Sequence, residues 1–220
     1  MGSKELGVEA LAMTAVQYNY LHKYLEQPKY TKPSTCTTDS LPKLIHKLRG
    51  DQRFDGVFER PQFENFDKVF EQHEDLILEY WNAWEVSDPA KQFEECQEVA
   101  AALLVATVAP GTHSYNFFFA HILTTSHALR VLLPIIPAEH QLVLVRGWLL
   151  VTLGLYVAFL RPKIDPDYVD PSLLKGRHWS YVEKTALTSS WTTDAHYVKG
   201  KLIQGLFHAS YVWKYAYNSQ

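Results

Sequence analysis

The residues able to do chemistry gather in one run: His113-Ser-Tyr-Asn-Phe-Phe-Phe-Ala-His121-Ile-Leu-Thr-Thr-Ser-His127-Ala-Leu-Arg130-Val-Leu-Leu-Pro134. Three histidines, an arginine and several hydroxyl groups interrupt an otherwise apolar stretch. Buried polar groups must find partners or cost free energy. A helix needed only for packing has no use for so many, so the run is the candidate site. Imidazoles there could transfer protons or hold a metal. Read as a helix, the run directs His121 and His127 about 240° apart. His113 and His127 share a face to within about 40°, but lie roughly 21 Å apart along the axis. The helix can therefore give one ligand to any single metal. Thr124 and Arg130 fall on the face of His127 and could orient its ring or a bound anion. The alternative is that these histidines are hydrogen-bonded groups within a helical core.

A second polar group lies near the end of the chain, in Asp194-Ala-His196-Tyr-Val-Lys199. His196 and Lys199 sit one turn apart on one helix face, and Asp194 could fix the imidazole tautomer. A lysine buried beside a metal can lose its proton. It could then add carbon dioxide to form an anionic carbamate, although a surface lysine explains Lys199 equally. His208 points about 120° away from His196 and reads as packing. His73, in Glu71-Gln-His-Glu-Asp75, reads as the solvated side of an amphipathic helix. His22, His46, His140 and His178 have no partner pattern. HExxH, GxSxG, GxGxxG and the P-loop are all absent, so the local signatures of zinc proteases, elbow hydrolases and nucleotide folds are missing.

The elements that must position these residues read as helices. Ser3 to Leu25 has apolar residues at three- and four-residue spacings, and a short helix with Leu41, Leu44, Ile45 and Leu48 on one side follows Asp39 and Ser40. Phe63 to Trp84 reads as one amphipathic helix. Asp88 and Pro89 are a cap and first-turn proline for a helix running to Val108. The central helix spans about His113 to Leu133, and an apolar helix spans Ala138 to Leu160. A short helix at Trp179–Thr188 and a last one from Thr193 or Asp194 to Tyr217 complete the reading. Between them, 28–38, 51–61 and 161–175 are loops. The fold class is all-α: one compact multi-helix domain over 1–220 with a central buried apolar helix.

Composition narrows the function. The chain has 220 residues, 47% of them hydrophobic and 14% aromatic, which is ample for a core. Net charge is −3 without a basic cluster, so no nucleic-acid partner is expected. Cys36 and Cys96 form neither a CxxC pair nor a disulfide framework, as in a reducing, cytoplasmic setting. The start, Met-Gly-Ser-Lys-Glu-Leu, has no apolar signal core. Arg146 cuts the longest apolar run to Gly147–Leu160, shorter than the roughly 20 residues that span a bilayer. A core helix is expected, with no membrane partner.

The run Ala120-His-Ile-Leu-Thr-Thr-Ser-His-Ala-Leu-Arg-Val-Leu-Leu-Pro134 resembles the questin oxidase-like family, as does Asp194-Ala-His-Tyr-Val-Lys199. Val8-Glu-Ala-Leu-Ala and Leu21-His-Lys-Tyr-Leu25 add weaker likeness. The resemblance implies oxygen-using enzymes of largely fungal secondary metabolism that oxidise and cleave anthraquinone-like polyketide rings, by Baeyer–Villiger or dioxygenase chemistry. It implies His127, His196 and Lys199 as ligands of a non-haem iron, with His121 beside the substrate. NADPH is a further cofactor implied by some members. Family members are longer, and this chain resembles their carboxyl-terminal half. The expectation is thus a small aromatic polyketide and molecular oxygen as substrates, with an amino-terminal half or second chain completing the site. Phe117, Phe118 and Trp148 would stack on a flat phenolic ring, and Arg130 would stabilise charge developing on it. Two other readings stand beside this one: a metal-free oxidase using NADPH or a partner's flavin, and a non-catalytic helical subunit.

Overall fold

The computed structural model describes residues 4–16, 18–112, 114–169, 175–178 and 180–181. Eight α-helices and no strand occur among the described residues, so the chain is all-α. The described structure falls into two compact units, residues 1–33 and 34–220.

The first unit holds α1 (Lys4–Val16) and α2 (His22–Glu26). The sequence predicts one helix here, but the chain breaks between them. Asn19 causes the break locally. Its side-chain Oδ1 accepts from the Leu21 N–H at 3.0 Å, and its carbonyl accepts from the His22 N–H at 3.2 Å. Asparagine thus offers the backbone an alternative to the helical ladder. Leu11, one of the regularly spaced apolar residues of that stretch, is 72% exposed.

The second unit is built on the apolar helix. α8 (Ala138–Ala158) packs against α4 (Asn65–Gln72), α5 (Glu74–Trp81), α6 (Pro89–Val105) and α7 (Phe117–Leu132), while α3 (Leu41–Gly50) packs on α6. From Trp148 to Ala158 only Val151 escapes burial. Both α8 and the stretch Phe117–Ile135 are long and apolar enough to cross a membrane, but most of α8 is covered by the other helices. Arg146 does not interrupt this packing. Its guanidinium lies 3.7 Å from the centre of the Trp81 ring and donates to Asn82 Oδ1 at 2.9 Å. The Trp81 indole N–H returns a bond to the Arg146 carbonyl at 2.8 Å. Burial pushes this arginine down to about 10. Close approach of α4 to α8 depends on Gly154, where a Cβ would meet the Phe66 and Phe70 rings at 2.7 and 2.9 Å.

The expected long helix over 63–84 is two, broken at His73, whose φ of −131° and ψ of 28° leave the helical region. His73 is therefore a junction residue, edge-on to Phe58 at 6.0 Å, rather than a position on the solvated side of one continuous helix. The Asp88 cap is as expected, accepting from the Lys91 N–H at 3.1 Å, with Pro89 in the first turn. After α8 the chain turns through two residues of positive φ, Leu160 (62°) and Arg161 (49°). Arg161 is buried and folds back on the end of α3. Its Nη1 donates to the carbonyls of Leu48, Arg49 and Asp51 at 3.0, 3.0 and 2.8 Å, and its Nη2 meets Asp55 at 2.7 Å.

Candidate functional site

α7 presents the candidate chemistry, and Asn116 sets its start. The Asn116 side-chain oxygen accepts from the N–H groups of Phe118 (2.9 Å) and Phe119 (3.2 Å). That satisfies two of the donors a helix leaves open at its first turn. The helix therefore begins at Phe117, four residues later than the spacing predicts, and His113 lies outside the described residues.

One turn in, His121 Nδ1 lies 2.8 Å from the Phe117 carbonyl oxygen. A carbonyl can only accept, so Nδ1 carries the proton and donates. In the neutral ring the lone pair then belongs to Nε2. This is the arrangement by which a backbone carbonyl fixes the tautomer of a metal-binding or proton-accepting histidine. The Phe117 ring lies 4.3 Å from the His121 ring, tilted by 52°, and is 47% exposed. Phe118 meets Phe117 edge-on at 5.5 Å and stacks on Phe63 at 4.3 Å with ring planes 3° apart. Phe63, half open to solvent on the segment before α4, extends the aromatic surface.

His127 is half-buried and faces Arg130, whose Nη2 is 3.4 Å from His127 Nδ1. A guanidinium can only donate, so Nδ1 accepts in this contact. The neutral ring then carries its proton on Nε2. Metal ligation through Nε2 requires Arg130 to release Nδ1 and Nδ1 to take a proton. Burial lowers the pKa of Arg130, but an arginine keeps its charge. The two histidines are thus held in opposite tautomers, one by a carbonyl and one by a cation.

Trp148 is placed differently from the expectation. It is 6% exposed, lies edge-on to Phe93 at 5.9 Å, and its indole N–H donates to the Ile122 carbonyl at 3.2 Å. It pins α8 to α7, and its ring is not open to a stacked ligand. The structure therefore brings Phe117 with His121 and His127 with Arg130, and places Phe118 against Phe63. His196 and Lys199 lie outside the described residues. Among the described residues no three histidine, cysteine or acidic side chains gather where they could hold a metal. The expected iron centre therefore has one of its three named ligands in view. Cys96 is buried, and that burial pushes its thiol well up, which disfavours the thiolate a nucleophile needs.

The sequence gives no warning of Phe63, which meets Phe118 where α4 and α7 both pack on α8. Asn116 was legible in principle, as a preferred cap type just before the apolar run.

A family model described as Questin oxidase-like matches residues 1–201. The chain belongs to the questin oxidase-like family. It is thus an oxidoreductase of the anthraquinone-oxygenase kind. No curated protein and no solved structure matches the chain.

Proposed function

We propose that the chain carries out oxygen-dependent cleavage of a flat phenolic polyketide, with the substrate lying against the exposed Phe117 ring beside His121. One observation carries this reading: an imidazole whose tautomer is fixed by the Phe117 carbonyl stands against an open aromatic face. A phenolic ring seated on Phe117 would place a hydroxyl near His121 Nε2. That nitrogen is a proton acceptor in the tautomer described, so His121 would take the phenolic proton as general base. Arg130 stands with His127 about half a turn round α7 from His121, so it faces away from a ring seated there and is assigned no part in this step. Within this proposal a non-haem iron bound by His127, His196 and Lys199 would supply oxygen activation. The described residues do not by themselves form such a centre, so no step is derived through it.

A second reading is a metal-free oxidase using NADPH. The Arg130–His127 contact favours it, because a guanidinium beside a metal ligand repels the metal and occupies the nitrogen that should carry the proton.

Metal analysis of the purified protein, its His127→Ala and His196→Ala variants, and turnover with and without a chelator separate the two. The iron reading expects stoichiometric iron in the parent protein and its loss in either variant. Stoichiometric iron that survives both substitutions would sink the ligand assignment. Chelator-resistant turnover that requires NADPH would select the second reading. His121→Ala is expected to slow turnover by about 100-fold or more in either case, as for loss of a general base.

A further inference from the structure

A cleft of about 360 Å³ lies between α3, α6 and the carboxyl end of α8. It contains none of the α7 residues discussed above. Its size falls in the range of small-molecule sites. Its apolar lining comes from Ile45, Val99, Ala102 and Ile164. Ile45 and Val99 belong to the buried core, so this wall is rigid. Three ionisable side chains line the same cleft: His46 and Arg49, one turn apart on α3, and Glu98 on α6. None of the three makes a side-chain hydrogen bond or an ion pair with any described residue. All three are exposed, so it is their convergence on an apolar wall, and not the lack of partners, that points to a small-molecule ligand.

The charges choose the ligand. Arg49 is a permanent cation, and its field reaches the Tyr156 phenol in the cleft, drawing that group down against the burial that raises it. The carbonyls at the end of α3 would oppose an anion there. Arg161 occupies them, with Nη1 on Leu48, Arg49 and Asp51. Across the cleft, slight burial and the neighbouring Glu94 and Glu95 raise the pKa of Glu98, an exposed carboxyl that stands apart from the Arg49 and His46 pair on α3. Tyr156, also in the lining, donates its hydroxyl to the Pro162 carbonyl at 3.0 Å.

We infer that this cleft binds a small amphipathic organic acid. Its apolar body lies against Ile45, Val99, Ala102 and Ile164, and its acid group lies by Arg49 and His46. The site is separate from the aromatic face of α7 and does not depend on the proposed reaction there.

Fluorescence titration tests it with two probes of shared ring structure. 1-Anilinonaphthalene-8-sulfonate carries an acid group, and N-phenyl-1-naphthylamine lacks it. The sulfonate probe should saturate at one molecule per chain. Ala102→Phe, which fills the cleft, should weaken both probes at least ten-fold. Arg49→Gln should weaken the sulfonate about ten-fold and leave the neutral probe unchanged. Thermal unfolding confirms that each variant is folded, and the surface change Arg49→Gln keeps the test open if Ala102→Phe does not fold. A folded Ala102→Phe variant that binds both probes like the parent would overturn the inference. So would an Arg49→Gln variant that treats the two probes alike.

Discussion

Arg161→Met should destabilise the protein far more than Asp55→Asn, although both remove the same ion pair. The pair itself joins a buried guanidinium to an Asp55 side chain that is 67% exposed. A carboxylate so open to water contributes at most about 1 kcal/mol. The three carbonyl contacts are different. Nη1 has two hydrogens and three acceptors, so one bond is shared, and the acceptors are the last carbonyls of α3 and the loop after it. Hydrogen bonds from a charged donor contribute about 1.5–3 kcal/mol each where the acceptor is otherwise unsatisfied. Two of the carbonyls have another donor, Leu48 from the Asp51 N–H and Asp51 from the Phe54 N–H, and water can reach that of the exposed Arg49, so the sum is discounted to about 1.5–3 kcal/mol. The Phe54 ring, 5.3 Å from the guanidinium, adds about 0.5–1 kcal/mol. At this chain length a loss of that size lowers Tm by about 4–16 °C. Urea unfolding followed by tryptophan fluorescence gives the free energies directly. Arg161→Lys should recover less than half, because an ammonium group cannot span the same acceptors. If Asp55→Asn costs as much as Arg161→Met, or if Arg161→Met costs less than about 1 kcal/mol, the capping argument fails.

Asn116→Ala removes the cap of α7 and should cost about 1 kcal/mol, read by the same unfolding experiment; Asn116→Asp should retain most of it, since aspartate caps as well. Asp51 predicts a pH dependence. Its carboxyl is held well below the ordinary range, first by the Arg53 guanidinium and also by the Tyr80 hydroxyl at 2.7 Å. The folded pKa is lowered, so its stabilisation is present above the ordinary value of 3.8 and is lost as pH falls below it. Asp51→Asn should therefore lower stability by about 1 kcal/mol at neutral pH, discounted for the half-exposed Arg53. The gap from the parent protein should close as the pH drops below about 4. A gap that stays constant down to pH 2 would contradict the assignment.

Much of the helical layout was legible because it rests on local rules. The apolar run of α8, the Asp88–Pro89 start and the Leu41–Leu48 stripe depend on residues within a few positions of one another. The breaks at Asn19 and His73 are not legible, because apolar spacing continues through both and a period cannot register a local change of φ and ψ. The partner of Arg146 was not legible for a different reason: Trp81 is brought to it by helix packing. The site divides the same way. Sequence alone marked α7, the facing of His121 and His127, and the pairing of His127 with Arg130 one turn on. Their tautomers required coordinates, because a carbonyl at 2.8 Å and a guanidinium at 3.4 Å are what decide them.

Composition and periodicity by themselves determined that the chain is all-α, that α8 is apolar, and that α7 carries more polar groups than packing needs. The family follows from the sequence too, through residues 1–201. Tertiary structure decided which aromatic rings remain open. Trp148 is closed into the core by α7, while Phe117 stays exposed beside His121. It also brought His46 and Arg49 opposite Glu98, residues some fifty positions apart with no shared motif. The physical reason is range. Helix formation is governed by contacts a few residues apart, whereas exposure, cavities and convergent charge exist only after separate helices have packed.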